Sequence, residues 1–249
     1  MASLLVLGFA LVRVGGEVLN DESADADPTS TSTSTSTVVA STTSTVPAPV
    51  VPASVKLATP HGTIPVYDRP NGTEIGSAGE WYGYDMTMPV VDETWGWVKI
   101  MLPERPNEST AWARLSDVTL GTNEYRIVLD RSDTKVIVYK AGVEIFRMPA
   151  GFGKASTPTP LGSFFVAVIE NPGPAGYGPI VLDLSAHSEA IQSWQGAGDA
   201  IIALHGSFGS DAKIGTTGTF VSNGCIRLHR EDQLKLAEIP LGTPVDIIE

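Results

Sequence analysis

Two residue types capable of nucleophilic chemistry lie close together in the last third of the chain. Cys225 is the only cysteine in 249 residues, and His205 stands twenty positions before it. His205 ends the apolar run Ile201-Ile202-Ala203-Leu204 and is followed by Gly206 and Ser207. Cys225 closes the turn Ser222-Asn223-Gly224-Cys225 and leads into Ile226-Arg227. Between them lie Gly209, Gly215 and Gly218, a flexible connection. A thiol is mostly protonated at neutral pH, and a neighbouring imidazole can take its proton to leave a nucleophilic thiolate. An imidazole serving Cys225 as base would stand roughly 3–4 Å from the sulfur. The plainer reading makes Cys225 a small buried hydrophobe and His205 a satisfied strand-end residue.

The elements that must position this pair read as β-structure. Val136–Lys140 and Val143–Met148 flank Ala141-Gly142 as a hairpin. A strand follows the Thr157-Pro158-Thr159-Pro160 turn from Gly162 to Ile169, and another runs from Ile180 to Leu184 after a Gly/Pro loop. Helical pattern is confined to Glu189–Trp194 and Glu231–Ala237. Many short strands between turn signals suggest a sandwich or barrel-like sheet. Residues 54–121 form a smaller all-β stretch. In it Asp68-Arg69-Pro70-Asn71-Gly72 marks a turn, and Trp95-Gly96-Trp97-Val98-Lys99-Ile100 alternates as a strand does. Its four tryptophans (Trp81, Trp95, Trp97, Trp112) suit plugging a small barrel and its seam better than a ligand face.

The net charge of −12 is spread over the chain, and no segment is basic. That argues against nucleic acid or an anionic membrane surface as the main partner. One cysteine excludes an internal disulfide, and four scattered histidines make a zinc site unexpected. No metal or cofactor is expected. Residues 1–26 read as a signal peptide, with the short apolar run Leu4–Val12 and Ala24-Asp25-Ala26 of cleavage-site form; an uncleaved anchor is the alternative. Residues 27–53, rich in Ser, Thr and Pro, read as an extended tether that buries too little apolar surface to fold. Export to the cell envelope is the corresponding expectation.

The motifs carry a resemblance. His205-Gly206, a loop, then Ser222-Asn223-Gly224-Cys225-Ile226-Arg227 resembles the signature of bacterial L,D-transpeptidases of the YkuD type. Tyr125–Asp130 with Val136–Tyr139 is similar to the opening hairpin of that domain. Thr157–Phe164 is similar to its Thr-Pro-x-Gly-x-Phe segment, and Pro240–Val245 to its closing strand. The resemblance covers residues 124–249; Asn223 stands where many members have His. Residues 54–121 weakly resemble a bacterial SH3-like domain through Val66-Tyr67, Gly96–Lys99 and Ala111-Trp112-Ala113. The fold so implied is all-β: a small SH3-like barrel, then a YkuD-like β-sandwich catalytic domain with few short helices.

What the resemblance implies is acyl transfer on peptidoglycan stem peptides, with D-Ala released, a Cys225 thioester formed and a 3→3 cross-link made by the amine of a second stem. Cys225 is then the nucleophile and His205 the base, held by a carbonyl at Gly206 or Ser207. Backbone N–H groups of Asn223, Gly224 and Cys225 are the nearest candidates for the oxyanion. Ser222, Arg227, Tyr177 and Ser207 are candidate substrate contacts, with Ser185 a further cleft residue. A carbapenem would acylate Cys225 as an inhibitor, and a monomer is expected. Two alternatives stay open: an L,D-carboxypeptidase, in which water replaces the amine, and a non-catalytic wall-binding protein. A papain-type protease would need a helix behind the cysteine and a later histidine.

Overall fold

The computed structural model describes residues 51–216 and 219–249. The apolar run, the cleavage-like triplet and most of the Ser/Thr/Pro tract lie outside the described residues. Nine strands precede Glu124. They are β1 Val55–Pro60, β2 Ile64–Tyr67, β3 Glu74–Ala78, β4 Glu80–Trp81, β5 Tyr84–Asp85, β6 Met88–Thr94, β7 Trp97–Met101, β8 Thr110–Arg114 and β9 Val118–Asn123. Ten follow. They are β10 Tyr125–Asp130, β11 Lys135–Lys140, β12 Val143–Pro149, β13 Phe152–Gly153, β14 Gly162–Glu170, β15 Val181–His187, β16 Ile201–Gly206, β17 Phe220–Ser222, β18 Ile226–Leu228 and β19 Pro244–Ile248.

The strands form two large sheets. Seven make the order β3-β2-β8-β7-β6-β1-β9, and eight make β12-β11-β10-β19-β14-β15-β16-β18. The fold is all-β, with one short helix, α1 Arg230–Leu234, run on by a 3-10 turn to Glu238. The expected helical stretch at Glu189–Trp194 is not helical. The Trp194 N–H instead bonds the Asp199 carbonyl across a loop holding Gly196 and Gly198, both at positive φ. In the β11–β12 hairpin both Ala141 and Gly142 have positive φ, as a tight two-residue connection requires.

Each sheet has its own core. One face of the eight-stranded sheet buries Ile127, Val138, Phe164, Val166, Leu182, Ile202, Leu204, Ile226 and Val245. The other core gathers Ala58, Val66, Met88, Ile100 and Ala113 of the first sheet, and it also takes in Phe165 and Ala167 of β14. Side chains alternate faces along a strand. Phe164 and Val166 therefore fill the core of the larger sheet while Phe165 and Ala167 join it to the smaller one.

Polar contacts lock the same seam. Asn107 brackets the His187 backbone, its Nδ2 donating to the carbonyl at 2.9 Å and its Oδ1 accepting the N–H at 2.8 Å. The Arg105 guanidinium donates to Asp199 and to the Ser188 carbonyl, each at 3.0 Å. His187 Nδ1 lies 2.8 Å from Asp199 without making a hydrogen bond to it. Trp81 rests edge-on against the His187 ring, and Trp97 is buried against Tyr67. Trp95, by contrast, is 94% exposed.

Phe165 tests this account. Phe165→Ala removes a fully buried ring from the joint between the two sheets. It should cost about 3–5 kcal/mol in urea unfolding; a loss under about 1 kcal/mol would contradict the packing described.

Candidate active site

The site is assembled on the face of β14, β15, β16 and β18 opposite the main core. In β18 and the turn before it burial alternates strictly. Gly224, Ile226 and Leu228 are buried, while Cys225 and Arg227 are half-buried on the other side. Strand β18 pairs in parallel with β16, with Leu204 opposite Ile226 and His205 opposite Arg227. The same register sets Ala203 opposite Cys225. Thiol and imidazole therefore share a face on neighbouring strands, two residues out of step.

The histidine is fixed by its own backbone. His205 is 4% exposed, and its Nδ1 meets the Gly206 carbonyl at 2.8 Å. If that nitrogen carries the proton, Nε2 is left as the basic atom. Gly206 is required by close approach. Its N–H donates to the Tyr177 carbonyl at 2.7 Å, and a Cβ there would stand 2.9 Å from that oxygen. Tyr177 packs edge-on against the imidazole with ring centroids 4.8 Å apart, and Phe208 against Tyr177 at 5.2 Å. Gln233, fully buried at the end of α1, donates Nε2 to the carbonyls of Tyr177 and Ile180 and so holds that loop.

The cysteine turn is braced from two sides. Ser222 Oγ donates to the Cys225 carbonyl at 2.5 Å and accepts the Gly224 N–H at 3.0 Å. Thr159, fully buried, donates to the Gly224 carbonyl at 2.7 Å. Thr157 lies 3.5 Å from both the Ser222 carbonyl and Asn223 Oδ1. The Thr-Pro segment is thus the wall against which the turn is built. Gly224 has φ 127°, which disfavours a side chain, and a Cβ there would press Ile202 at 2.8 Å.

Two expectations are revised. Among the described residues, Cys225 and His205 are not joined by a hydrogen bond. The sulfur faces the Ile201 carbonyl at 3.8 Å, the long end for sulfur, because the two-residue offset leaves the imidazole diagonal to it. The Gly224 N–H is spent on Ser222, so it is not a free oxyanion donor. The backbone N–H groups of Asn223 and Cys225 have no acceptor among the described residues.

Other candidates fall as follows. Arg227 donates to Ser210 Oγ at 2.7 Å, lies under the Phe208 ring at 5.7 Å, and has a buried Nε without an acceptor. No carboxylate pairs with it among the described residues. The Ser207 hydroxyl turns to Asp211 rather than to the thiol. Ser185 is buried and accepts the Phe165 N–H, a structural place. Sequence reasoning overlooked Gln233 and Asp183, and read Thr159 only as part of a structural turn. Among the described residues no group of three or more His, Cys, Asp or Glu is placed to hold a metal.

Burial dominates the electrostatics. It pushes the Cys225 thiol up to about 11, with the Asp183 charge adding to the rise. Burial also drives His205 down to about 4, and the Arg227 charge lowers it further. At neutral pH the pair is therefore thiol and neutral imidazole, not thiolate and imidazolium.

The YkuD family, the L,D-transpeptidase catalytic domain, matches residues 124–247. A Bacillus licheniformis protein, provisionally named L,D-transpeptidase YkuD, is 34% identical over 128 residues, 51% of this chain and 67% of that one. The chain belongs to the YkuD family of L,D-transpeptidases. Among solved structures, L,D-transpeptidase 3 from Mycobacterium tuberculosis overlaps with a TM-score of 0.41 at 20% identity, over 68% of this chain and 77% of its own. An L,D-transpeptidase in complex with imipenem overlaps at 0.40 and 18%, over 79% and 82%.

The neutral pair has a measurable consequence. Alkylation of Cys225 by iodoacetamide should climb about tenfold per pH unit from pH 7 upward, with no plateau near neutrality. A flat rate between pH 5 and 8 would reveal a preformed ion pair and overturn the assignment.

Proposed function

We propose that the protein is a cysteine acyltransferase that forms 3→3 cross-links between peptidoglycan stem peptides, with Cys225 as nucleophile and His205 as base. The observation that supports this most is the placement of Cys225 and His205 on one sheet face, within the segment that matches the family. The thiol is a far weaker acid than the imidazolium. Proton transfer ahead of attack is therefore unfavourable, and the proton leaves sulfur for His205 Nε2 as the bond from Sγ to the carbonyl carbon forms. The oxyanion is received by the N–H groups of Asn223 and Cys225. His205 returns the proton to the departing amine of D-Ala, leaving the thioester. The amine of a second stem then attacks, giving a proton to His205 that is passed on to the released sulfur.

Arg227 is proposed to bind a stem carboxylate. It is a half-buried cation in the cleft that no carboxylate pairs among the described residues, and guanidinium geometry suits a carboxylate. The N-terminal expectations enter here as a proposal too: an exported enzyme in the cell envelope, carried on the Ser/Thr/Pro tether, with residues 54–121 as an SH3-like module. The carboxypeptidase reading differs only in the second step, where water replaces the amine. Phe208 favours the transferase, because an exposed aromatic standing over His205 and Arg227 gives the thioester some cover from water.

Incubation with a carbapenem should give one covalent adduct by intact-mass spectrometry, absent in Cys225→Ala. An adduct surviving in that variant would refute the assignment, since the chain has no other thiol. With tetrapeptide stems the protein should release D-Ala and form dimers, and Cys225→Ala should do neither. Tripeptide without dimer across several acceptor amines would move the reading to carboxypeptidase.

A further inference from the structure

The cleft face carries a carboxyl group that the steps above leave unused. Register places Val168 opposite Asp183 and Asp183 opposite Ala203, and the β16–β18 pairing sets Ala203 opposite Cys225. Asp183, Ala203 and Cys225 thus form one row across three strands, all on the face that carries His205. Neighbouring strands stand about 4.8 Å apart, so carboxyl and thiol are about two spacings apart. The residue between them is the small Ala203, which leaves room above the sheet for a ligand group between the two.

Asp183 has company of one kind. Glu170 lies opposite Val181, next along the same face, and its charge acts on Asp183. The Tyr84 hydroxyl, from the separate β4–β5 hairpin, faces the Glu170 carboxyl. Among the described residues no Lys, Arg or His pairs with either acid. Burial, with the Glu170 charge behind it, raises the Asp183 carboxyl to about 7, and Asp183 in turn disfavours the Cys225 thiolate. Two neighbouring acids that no cation pairs, Arg227 of the same cleft being bonded to Ser210 instead, are a mismatch that a bound cation would relieve. The buried atom in this cleft that does lack a partner is Arg227 Nε, while the His205 ring is nearly wholly buried with its Nδ1 on the Gly206 carbonyl.

We propose that Asp183, with Glu170 and Tyr84 beside it, binds the ammonium group of the incoming acyl acceptor above Ala203, next to the Cys225 thioester. This rests on the transferase reading of Cys225. An ammonium there makes charge-assisted hydrogen bonds to Asp183, with the Glu170 carboxyl and the Tyr84 hydroxyl beside it. It gives one proton to the Asp183 carboxylate, and the freed nitrogen lone pair attacks the thioester carbon. The C–N bond forms and the C–Sγ bond breaks. The second proton passes from nitrogen to His205 and on to Sγ, while Asp183 releases its own to water. Arg227 on one side and Asp183 on the other then make the cleft dipolar, with carboxylate recognised at one end and amine at the other.

The experiment reads how one thioester partitions, which does not depend on how fast it forms. Wild type and Asp183→Asn are supplied with tetrapeptide stem as donor and either a stem carrying a free side-chain amine or hydroxylamine, which is uncharged at neutral pH. Asp183→Asn should cut the ratio of dimer to tripeptide about tenfold, the loss of one charge-assisted hydrogen bond, with the hydroxylamine ratio unmoved and Asp183→Glu restoring part of the dimer. Equal losses for both nucleophiles, or no loss for either, would overturn the proposal while leaving the transferase standing. Should Asp183→Asn fail to fold, Glu170→Gln at its half-exposed position must show the same selectivity, at about two- to threefold. Absence of D-Ala release by the unsubstituted protein would overturn both readings together.

Discussion

The site depends on the parallel pairing of β18 with β16. Among the described residues their connection holds a 3-10 turn at Asp211–Lys213 and the short strand β17 but no α-helix, and three register pairs hold the two strands together. That pairing puts Ile226 and Leu228 into the main core beside Leu204 and, by alternation, turns Cys225 and Arg227 to the face where His205 already stands. A slip of one residue would bury the thiol in the core and present isoleucine to the cleft. The bracing of the turn follows from this. Thr159 and Ser222 together hold both carbonyls, Gly224 and Cys225, that bound the strand's start.

Burial makes the pair strong in one sense and weak in another. A desolvated imidazole stays neutral and ready to accept a proton, while a desolvated thiol resists giving it up. The thiol–imidazole pair therefore rests uncharged, and in the proposed reaction charge appears on it only when an acyl carbon is present to receive the sulfur. Such a thiol is less exposed to chance oxidation or alkylation than a standing thiolate. The negative field of Asp183 deepens this restraint, and a cation beside it would lift it.

The smaller sheet is more than an appendage. It packs on the same side of β14 that, further along, faces the cleft, and the separate two-stranded β4–β5 hairpin carries Trp81 to His187 and Tyr84 to Glu170. Phe165 and Ala167 tie the two cores through neighbouring positions of one strand. The clamp of Arg105 and Asn107 on the end of β15 fixes the smaller sheet relative to the strand that bears Asp183.

Local sequence was enough for much of this. Alternation and turn chemistry placed the β11–β12 hairpin, β14 and β16 to within a residue or two, because a half-buried strand writes its period into the chain. The His-Gly and Ser-Asn-Gly-Cys spacings pointed to the pair itself. Helical periodicity misled at Glu189–Trp194, where Arg105 draws the loop to the other sheet through the carbonyls of Ser188 and Ile191. Which N–H groups are free, that Ser222 closes its own turn, and that Thr159 reaches the Gly224 carbonyl are decided by contacts 65 residues apart or by exact turn geometry. Asp183 looked like one acid among many in a strand. Only the registers of β14, β15, β16 and β18 set it in line with the cysteine, since cross-strand neighbours are chosen by the packing of the whole sheet and not by the sequence beside them.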